Sequence, residues 1–244
     1  MNGQTLFISD LHLDETRPAA TQLFLELTRG EARQADALYI LGDLFEYWLG
    51  DDVETPLSRQ VAQALSDLSA SGTPCFFIHG NRDFMLGEDY AASAGMQLLP
   101  EECVVSLYGQ PVLLMHGDQL CTDDVGYQKI RAMVRTPEWQ ATLMQKTPAE
   151  RIAFARDARK KSEDHKQGVS EMIMDVNDQA VAAAFRRHGV ELMIHGHTHR
   201  PAQHELQVDG RGARRLVLGD WYEQGSMLQV LPGQYRLESI DFST

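Results

Sequence analysis

At 244 residues and 43% hydrophobic, the chain is long enough for one sizeable domain with a real core, and it has no low-complexity run. A formal net charge of −13 excludes a general nucleic-acid binder, whose footprint is basic. Cys75, Cys103 and Cys121 match neither a disulfide framework nor a C-x-x-C zinc motif, which fits a reducing cytosolic setting. The opening residues, MNGQTLFISDLHLDE, have no basic segment followed by an apolar one, so no signal peptide is expected. No apolar run reaches the ~18 residues that a membrane span needs.

In chain order, short apolar runs recur, and each ends in polar residues capable of chemistry. Leu6-Phe7-Ile8 leads into Ser9-Asp10-Leu11-His12. A helix opened by Thr16 and Pro18 follows, with Leu23, Phe24 and Leu27 on one face. Ala37 to Leu41 leads into Gly42-Asp43. Thr55 is a good N-cap and Pro56 a good first helical residue for a stripe of Leu57, Val61, Leu65 and Leu68. Cys75 to Ile78 leads into His79-Gly80-Asn81-Arg82-Asp83. Val104 to Tyr108 and Pro111 to Met115 read as a hairpin around Gly109-Gln110, its second strand running into His116-Gly117-Asp118.

Residues 122–175 differ. They are helical in character, broken at Pro137 and Pro148, and rich in Ile130, Met133, Val134, Trp139, Leu143 and Met144. Arg151, Arg156, Arg159, Lys160, Lys161 and Lys166 then form a basic patch in an acidic protein. The segment reads as an insertion capping the domain; the alternative is an ordinary helical hairpin with a solvated charged face. A helix from about Val176 to His188 ends at Gly189, and Leu192 to Ile194 leads into the stretch HGHTH at 195–199. Further strands are expected after Arg214, with turns at Gly219, Gly225 and Pro232-Gly233. Together these predict a layered α/β sandwich with mixed sheets. In such folds ligands collect outside the carboxyl ends of the strands.

The strand ends deliver Asp10, His12, Asp43, Asn81, His116, His197 and His199. Any one of them alone is as well explained by a cap or a turn. Together they form a mixed oxygen and nitrogen set, suited to Mn²⁺, Fe²⁺, Zn²⁺ or Co²⁺ more than to Ca²⁺ or Mg²⁺. Seven ligands exceed one tetrahedral ion and fit two ions sharing a carboxylate, an arrangement that activates water for displacement at phosphorus. If the chain stays extended, His197 and His199 face the same way, while His195 points away and is structural.

Asp10-x-His12, Gly42-Asp43, Gly80-Asn81-x-Asp83, His116 and Gly196-His197-x-His199, in this order, resemble the calcineurin-like metallophosphoesterase superfamily. The resemblance spans residues 10–199. It implies one domain over 1–244, an α/β fold of four-layer α/β/β/α type with mixed sheets, and a helical lid at about 122–175. It also implies one metal on Asp10, His12 and His199, a second on Asn81, His116 and His197, and Asp43 bridging. One departure is informative: where the superfamily usually has Gly-Asn-His-Asp, position 82 is Arg. Arginine is no general acid, but it grips phosphate with two parallel hydrogen bonds. That favours a leaving group that needs no proton, such as a phosphate monoester released from a pyrophosphate.

FISDLHL, ADALYILGDLFEYWLGDD, CFFIHGNRDFMLG, LMHGDQLCTDD, IMDVN and IHGHTHRPAQHEL resemble a narrower family, the UDP-2,3-diacylglucosamine pyrophosphohydrolases of lipid A synthesis. That resemblance implies hydrolysis of a nucleotide-lipid pyrophosphate by water attack on the α-phosphorus, giving UMP and a diacylglucosamine 1-phosphate. It implies two Mn²⁺ per chain and peripheral contact with the cytoplasmic face of the inner membrane. The catalytic set would be the seven ligands and Arg82. Substrate contacts would fall on Asn81, Arg82, Asp124, Ser162, Lys166 and His197, whereas Val169 stands where the family often has Lys. Two alternatives stay open: a phosphoesterase for a soluble nucleotide or phosphodiester on the same fold, and a non-catalytic scaffold of that fold.

Overall fold

Two mixed sheets lie face to face in a computed structural model that describes residues 3–157 and 175–242. The elements of the first half are β1 (Thr5–Ile8), α1 (Pro18–Arg29), β2 (Ala37–Ile40), α2 (Pro56–Ala70), β3 (Cys75–Phe77), α3 (Glu88–Ser93) and β4 (Met96–Leu98). A hairpin follows, β5 (Glu102–Leu107) and β6 (Gln110–Met115). Then come α4 (Val125–Val134), α5 (Pro137–Met144) and helical residues 148–157, here α6. The chain resumes with α7 (Asp178–His188), β7 (Leu192–His195), β8 (Ala202–Val208), β9 (Arg211–Val217), β10 (Gly225–Leu231) and β11 (Gln234–Ile240).

The first sheet runs β11-β10-β1-β2-β3-β4 and the second β5-β6-β7-β9-β8. Strands β1 to β4 are parallel, as are β6, β7 and β9, with antiparallel strands at the margins. Parallel strands need crossovers, and these put helices on the outer faces. Burial defines the layers. Leu6, Ile8, Leu38 and Phe77 pack under Phe24, Val61, Leu65 and Leu68 of α1 and α2. Phe7, Tyr39, Val112, Leu114, Ile194 and Leu228 fill the space between the sheets. Leu113, Met115 and Met193 pack against Val181, Ala184 and Phe185 of α7. The order is therefore α/β/β/α.

Local signals account for most boundaries. The Thr55 hydroxyl accepts from Ser58 N (3.0 Å) and the Ser58 hydroxyl accepts from Thr55 N (2.9 Å), a reciprocal cap that starts α2. The Asn177 side-chain Oδ1 accepts from Gln179 N and Ala180 N and caps α7, which stops at Gly189 in the left-handed region (φ 64°). Three sequence expectations need correction. Thr16 does not cap α1; its hydroxyl donates to Asp14, and the helix begins directly at Pro18. The hairpin turns through Tyr108 and Gly109 (φ 52° and 88°), because two left-handed residues match the twist of the flanking strands. Gly225 opens β10 and is not a turn.

Candidate metal centre

The first sheet supplies Asp10, His12, Asp43 and Asn81 from the loops after β1, β2 and β3. The second supplies His116, His197 and His199 from the loops after β6 and β7. Beyond the strands the loops stay zipped: Asp10 N donates to Gly42 O, His12 N to Asp43 O, and Gly196 N to His116 O (3.0, 2.9 and 2.8 Å). Asp83 braces the set from below, accepting from Gly80 N, Asp43 N and Leu44 N. Close approach is what the motif glycines provide. A Cβ at Gly80 would lie 2.0 Å from Asp43 Oδ1, and one at Gly196 would lie 2.2 Å from Asp10 Oδ2.

Among the described residues seven non-glycines have positive φ, and five of them are Asp10, His12, Asp43, His197 and His199. Left-handed backbone is costly for such residues and persists where surrounding structure enforces it, commonly at functional sites. This also corrects the extended-chain argument for the HGHTH stretch. Strand β7 ends at His195, and the two following histidines are turned inward by kinks, not by strand alternation. His195 itself is fully buried, with Arg215 Nη1 3.1 Å from its Nε2.

Two overlapping groups converge. Asp10, His12 and His199 form one: Asp10 Oδ1 lies 3.3 Å from His199 Nε2 and 4.0 Å from His12 Nε2. Asp10, Asp43 and His116 form the other. Asp43 stands between them, Oδ2 3.7 Å from His12 Nε2 and Oδ1 3.8 Å from His116 Nε2. Asn81 Oδ1 sits 3.0 Å from His116 Nε2, and the His197 ring packs edge-on at 5.0 Å from that of His116.

The chemistry of these atoms fits a cation. His116 Nδ1 lies 2.8 Å from Leu41 O and can only donate there, so in a neutral ring Nε2 keeps a lone pair aimed at the lone pairs of Asn81 Oδ1. Two facing acceptors call for a proton or a metal between them. Asp10 Oδ1 and His12 Nδ1 are also buried without a hydrogen-bond partner among the described residues. Oxygen and imidazole donors without thiolate match a borderline divalent ion.

Electrostatics in the metal-free site follow from burial and crowding. Burial pushes Asp43 up to about 7, helped by Asp83 and Asp10 and opposed by His116. Burial also acts to raise Asp10, but the imidazoles of His199, His116 and His12 hold it well below the usual carboxylate range. His116 is raised, because Asp43, Asp10 and Asp118 outweigh its burial. Burial takes His197 down to about 3 and His12 well below its ordinary value. Below neutral pH the site therefore holds protons on Asp43 and His116 that a metal must displace. Affinity of the metal-stripped protein for a divalent cation such as Mn²⁺ should rise from about pH 5.5 to about pH 8, with proton release on loading. Calorimetric titration in buffers of different ionisation enthalpy measures this; a flat affinity across that window would contradict the assignment.

Other expected site residues are placed less directly. Arg82 N donates to Asp43 Oδ1 (2.8 Å), and its buried Nε has no hydrogen-bond partner among the described residues, which leaves the guanidinium a donor to offer an anion. Asp124 is the N-cap of α4, accepting from Tyr127 N at 2.8 Å. Ser162 and Lys166, with Arg159, Lys160, Lys161 and Val169, lie outside the described residues. Arg151, expected in the basic patch, is not free to bind a partner there. It is 1% exposed and ties α6 to the loop after β2 through Leu49 O and the carboxylate of Asp52. The sequence reading missed the groups behind the imidazoles: Glu46 Oε2 is 3.5 Å from His12 Nδ1 and Asp220 Oδ2 3.4 Å from His199 Nδ1. It also missed Tyr222, which stacks on His12 at 5.0 Å with the Arg17 guanidinium on its ring. A buried acid inside the apolar run LFEYW was the available signal for Glu46.

A family model described as calcineurin-like phosphoesterase matches residues 3–201. The chain belongs to the calcineurin-like phosphoesterase family. Three curated relatives carry the name UDP-2,3-diacylglucosamine hydrolase. That of Stenotrophomonas maltophilia is 56% identical over 97% of this chain and 98% of its own length. That of Xanthomonas campestris is 51% identical over the same shares. That of Escherichia fergusonii is 53% identical over 98% of this chain and 99% of its own. As a calcineurin-like phosphoesterase the chain is a metal-dependent hydrolase by family, and Asp10, His12 and His199, and Asp10, Asp43 and His116, form two groups whose ligand-type atoms lie close enough to hold an ion.

Proposed function

We propose that the protein hydrolyses UDP-2,3-diacylglucosamine to UMP and 2,3-diacylglucosamine 1-phosphate in lipid A biosynthesis. The observation that carries this reading is identity of 51–56% over nearly the whole chain with hydrolases named for that substrate. Asp10, His12 and His199 would hold one Mn²⁺, Asn81, His116 and His197 a second, and Asp43 would bridge. Such cations, when bound, supply a water nucleophile at neutral pH and offset charge building at the α-phosphorus.

The chain's own groups do the rest. Arg82 grips the diphosphate with the guanidinium fork and leaves the departing phosphate unprotonated. Asp83, hydrogen-bonded to three backbone N–H groups, keeps Asp43 and the Gly80–Asn81 turn in place. Leu41 O fixes the His116 tautomer, so that Nε2 is the nitrogen presented. Asp124 would contact the sugar or nucleotide part of the substrate, and Ser162 and Lys166 would contact the substrate from the lid.

Apolar surface for acyl chains has support near the site. A cleft of about 330 Å³ is walled by Leu13, Phe45, Trp48 and Leu49, and Leu13 directly follows His12 in the chain. Helices α4 to α6 expose Val125, Ile130, Met133, Met144 and Phe154. No helix among the described residues is long and apolar enough to cross a membrane. We propose peripheral contact with the cytoplasmic face of the inner membrane through the segment 122–175, acting as a lid. The test is UMP release from UDP-2,3-diacylglucosamine and from UDP-N-acetylglucosamine under the same Mn²⁺ conditions. Burying four methylenes is worth about 3 kcal/mol, so the diacyl substrate should lead in kcat/KM by at least roughly a hundredfold. Equal rates would assign the site to soluble nucleotides instead.

A further inference from the structure

The first helix of the lid segment reaches into the scaffold of the metal centre. Tyr127 Oη and Arg131 Nε both donate to the buried Asp118 Oδ2, each at 2.7 Å. Arg131 Nη2 also donates to Glu101 Oε2 (2.8 Å). Arg135, the C-cap residue of α4, uses the same hub. One arm of its guanidinium pairs with Glu101, and Nη2 donates to Gly80 O at 2.8 Å, with Asp118 Oδ2 3.7 Å away. Its Cζ sits 5.5 Å from the centre of the Phe84 ring. Arg135 thus touches both flanks of Asn81-Arg82-Asp83.

The need for such a clamp follows from Gly80. That position excludes a Cβ, because Asp43 Oδ1 fills the space, and glycine is the most conformationally free residue of the loop. Its carbonyl belongs to the peptide that leads into Asn81. Rotation of that peptide would swing Asn81 Oδ1 off its 3.0 Å approach to His116 Nε2 and disturb Arg82 N on Asp43 Oδ1. A planar guanidinium can hold a carboxylate and a carbonyl in fixed relative directions, which a lysine ammonium, as a point charge, cannot.

We propose that Arg135 is a positioning residue: it locks the Gly80–Asn81 peptide, so that helix α4 is a working part of the metal centre and not only a cover. This rests on the reading of Asn81 as a metal ligand. The experiment is Mn²⁺ titration of metal-stripped wild type and Arg135→Ala by calorimetry, alongside steady-state kinetics and melting curves. One of the two Mn²⁺ equivalents should weaken about 10- to 100-fold, as expected for loss of an outer support, with the other unchanged. Added guanidinium at low concentration should restore part of the loss. The melting temperature of the metal-stripped protein should shift little, and kcat should fall more than KM rises. Should the alanine variant fail to fold, Arg135→Lys keeps the charge beside Glu101 and Asp118 and should show the same loss at one equivalent. Two wild-type Mn²⁺ equivalents in a folded variant overturn the proposal. Because metal titration needs no substrate, a wild type that leaves UDP-2,3-diacylglucosamine intact would sink the proposed function and not this assignment.

Discussion

Alanine at His116 should lower kcat/KM about a thousandfold while the chain still folds. The ring is 1% exposed, its Nδ1 bonded to Leu41 O and its Nε2 presented between Asn81 and Asp43. Removing it deletes one proposed ligand of the second cation and leaves Asn81 and His197 without a partner in the same site. Metal-derived charge stabilisation is worth several kcal/mol at the transition state, and each ~1.4 kcal/mol is a factor of ten. The fold should tolerate the loss, because the cores between the sheets and under the helices do not include His116. Turnover with purified, metal-saturated variant measures the effect. Near wild-type hydrolysis with full metal occupancy would remove His116 from the mechanism.

Asparagine in place of Asp43 should cost at least as much activity, and it should also stabilise the metal-free protein at alkaline pH. The substituted amide keeps an oxygen for Arg82 N but lacks the charge that two cations would share. The stability effect has the opposite sign. Burial raises the Asp43 carboxyl from 3.8 to about 7, so the folded chain retains a proton that the unfolded chain has released between those values. Folded stability contributed by this group is therefore present below about pH 4 and is lost as pH rises toward about 7. Above that, the buried charge costs on the order of a few kcal/mol. Metal-free Asp43→Asn should melt several degrees above the metal-free wild type at about pH 8 and show no advantage at about pH 4. Equal melting at both would mean that Asp43 is solvated or paired in the metal-free state.

The sequence made the strand ends legible because each buried run is short, apolar and followed at once by a polar cluster, as in Ile8 before Ser9-Asp10 and Ile194 before HGHTH. Their convergence required the parallel order β1-β2-β3 and β6-β7, which apolar runs alone support but do not dictate. The manner of convergence was not legible. Nothing in Asp10-Leu11-His12 announces left-handed backbone at both residues; it is held there by contacts from a distant loop, Asp10 N on Gly42 O and His12 N on Asp43 O. Strand β8 was missed because it alternates half-buried and exposed side chains, QHELQ, and lacks an apolar run. Arg151 grouped with the basic residues around it in the sequence, because nothing in a run of Arg and Lys marks the one that is buried and paired with Asp52. Asp220 carries no motif, and only its distance to the outer nitrogen of His199 singles it out, whereas Glu46 had the one signal of an acid inside an apolar run.

The ligand-type residues come from both sheets, and His12 and His199, 187 positions apart in the chain, face each other across the seam at 3.4 Å. An ion held there would be a rivet between two half-molecules, added to the packing between the sheets and to cross-sheet hydrogen bonds such as His116 Nδ1 to Leu41 O and His197 N to Asp10 Oδ2. Occupancy and cohesion would then be a single equilibrium, so that stripping the metal should slow turnover and loosen the halves together.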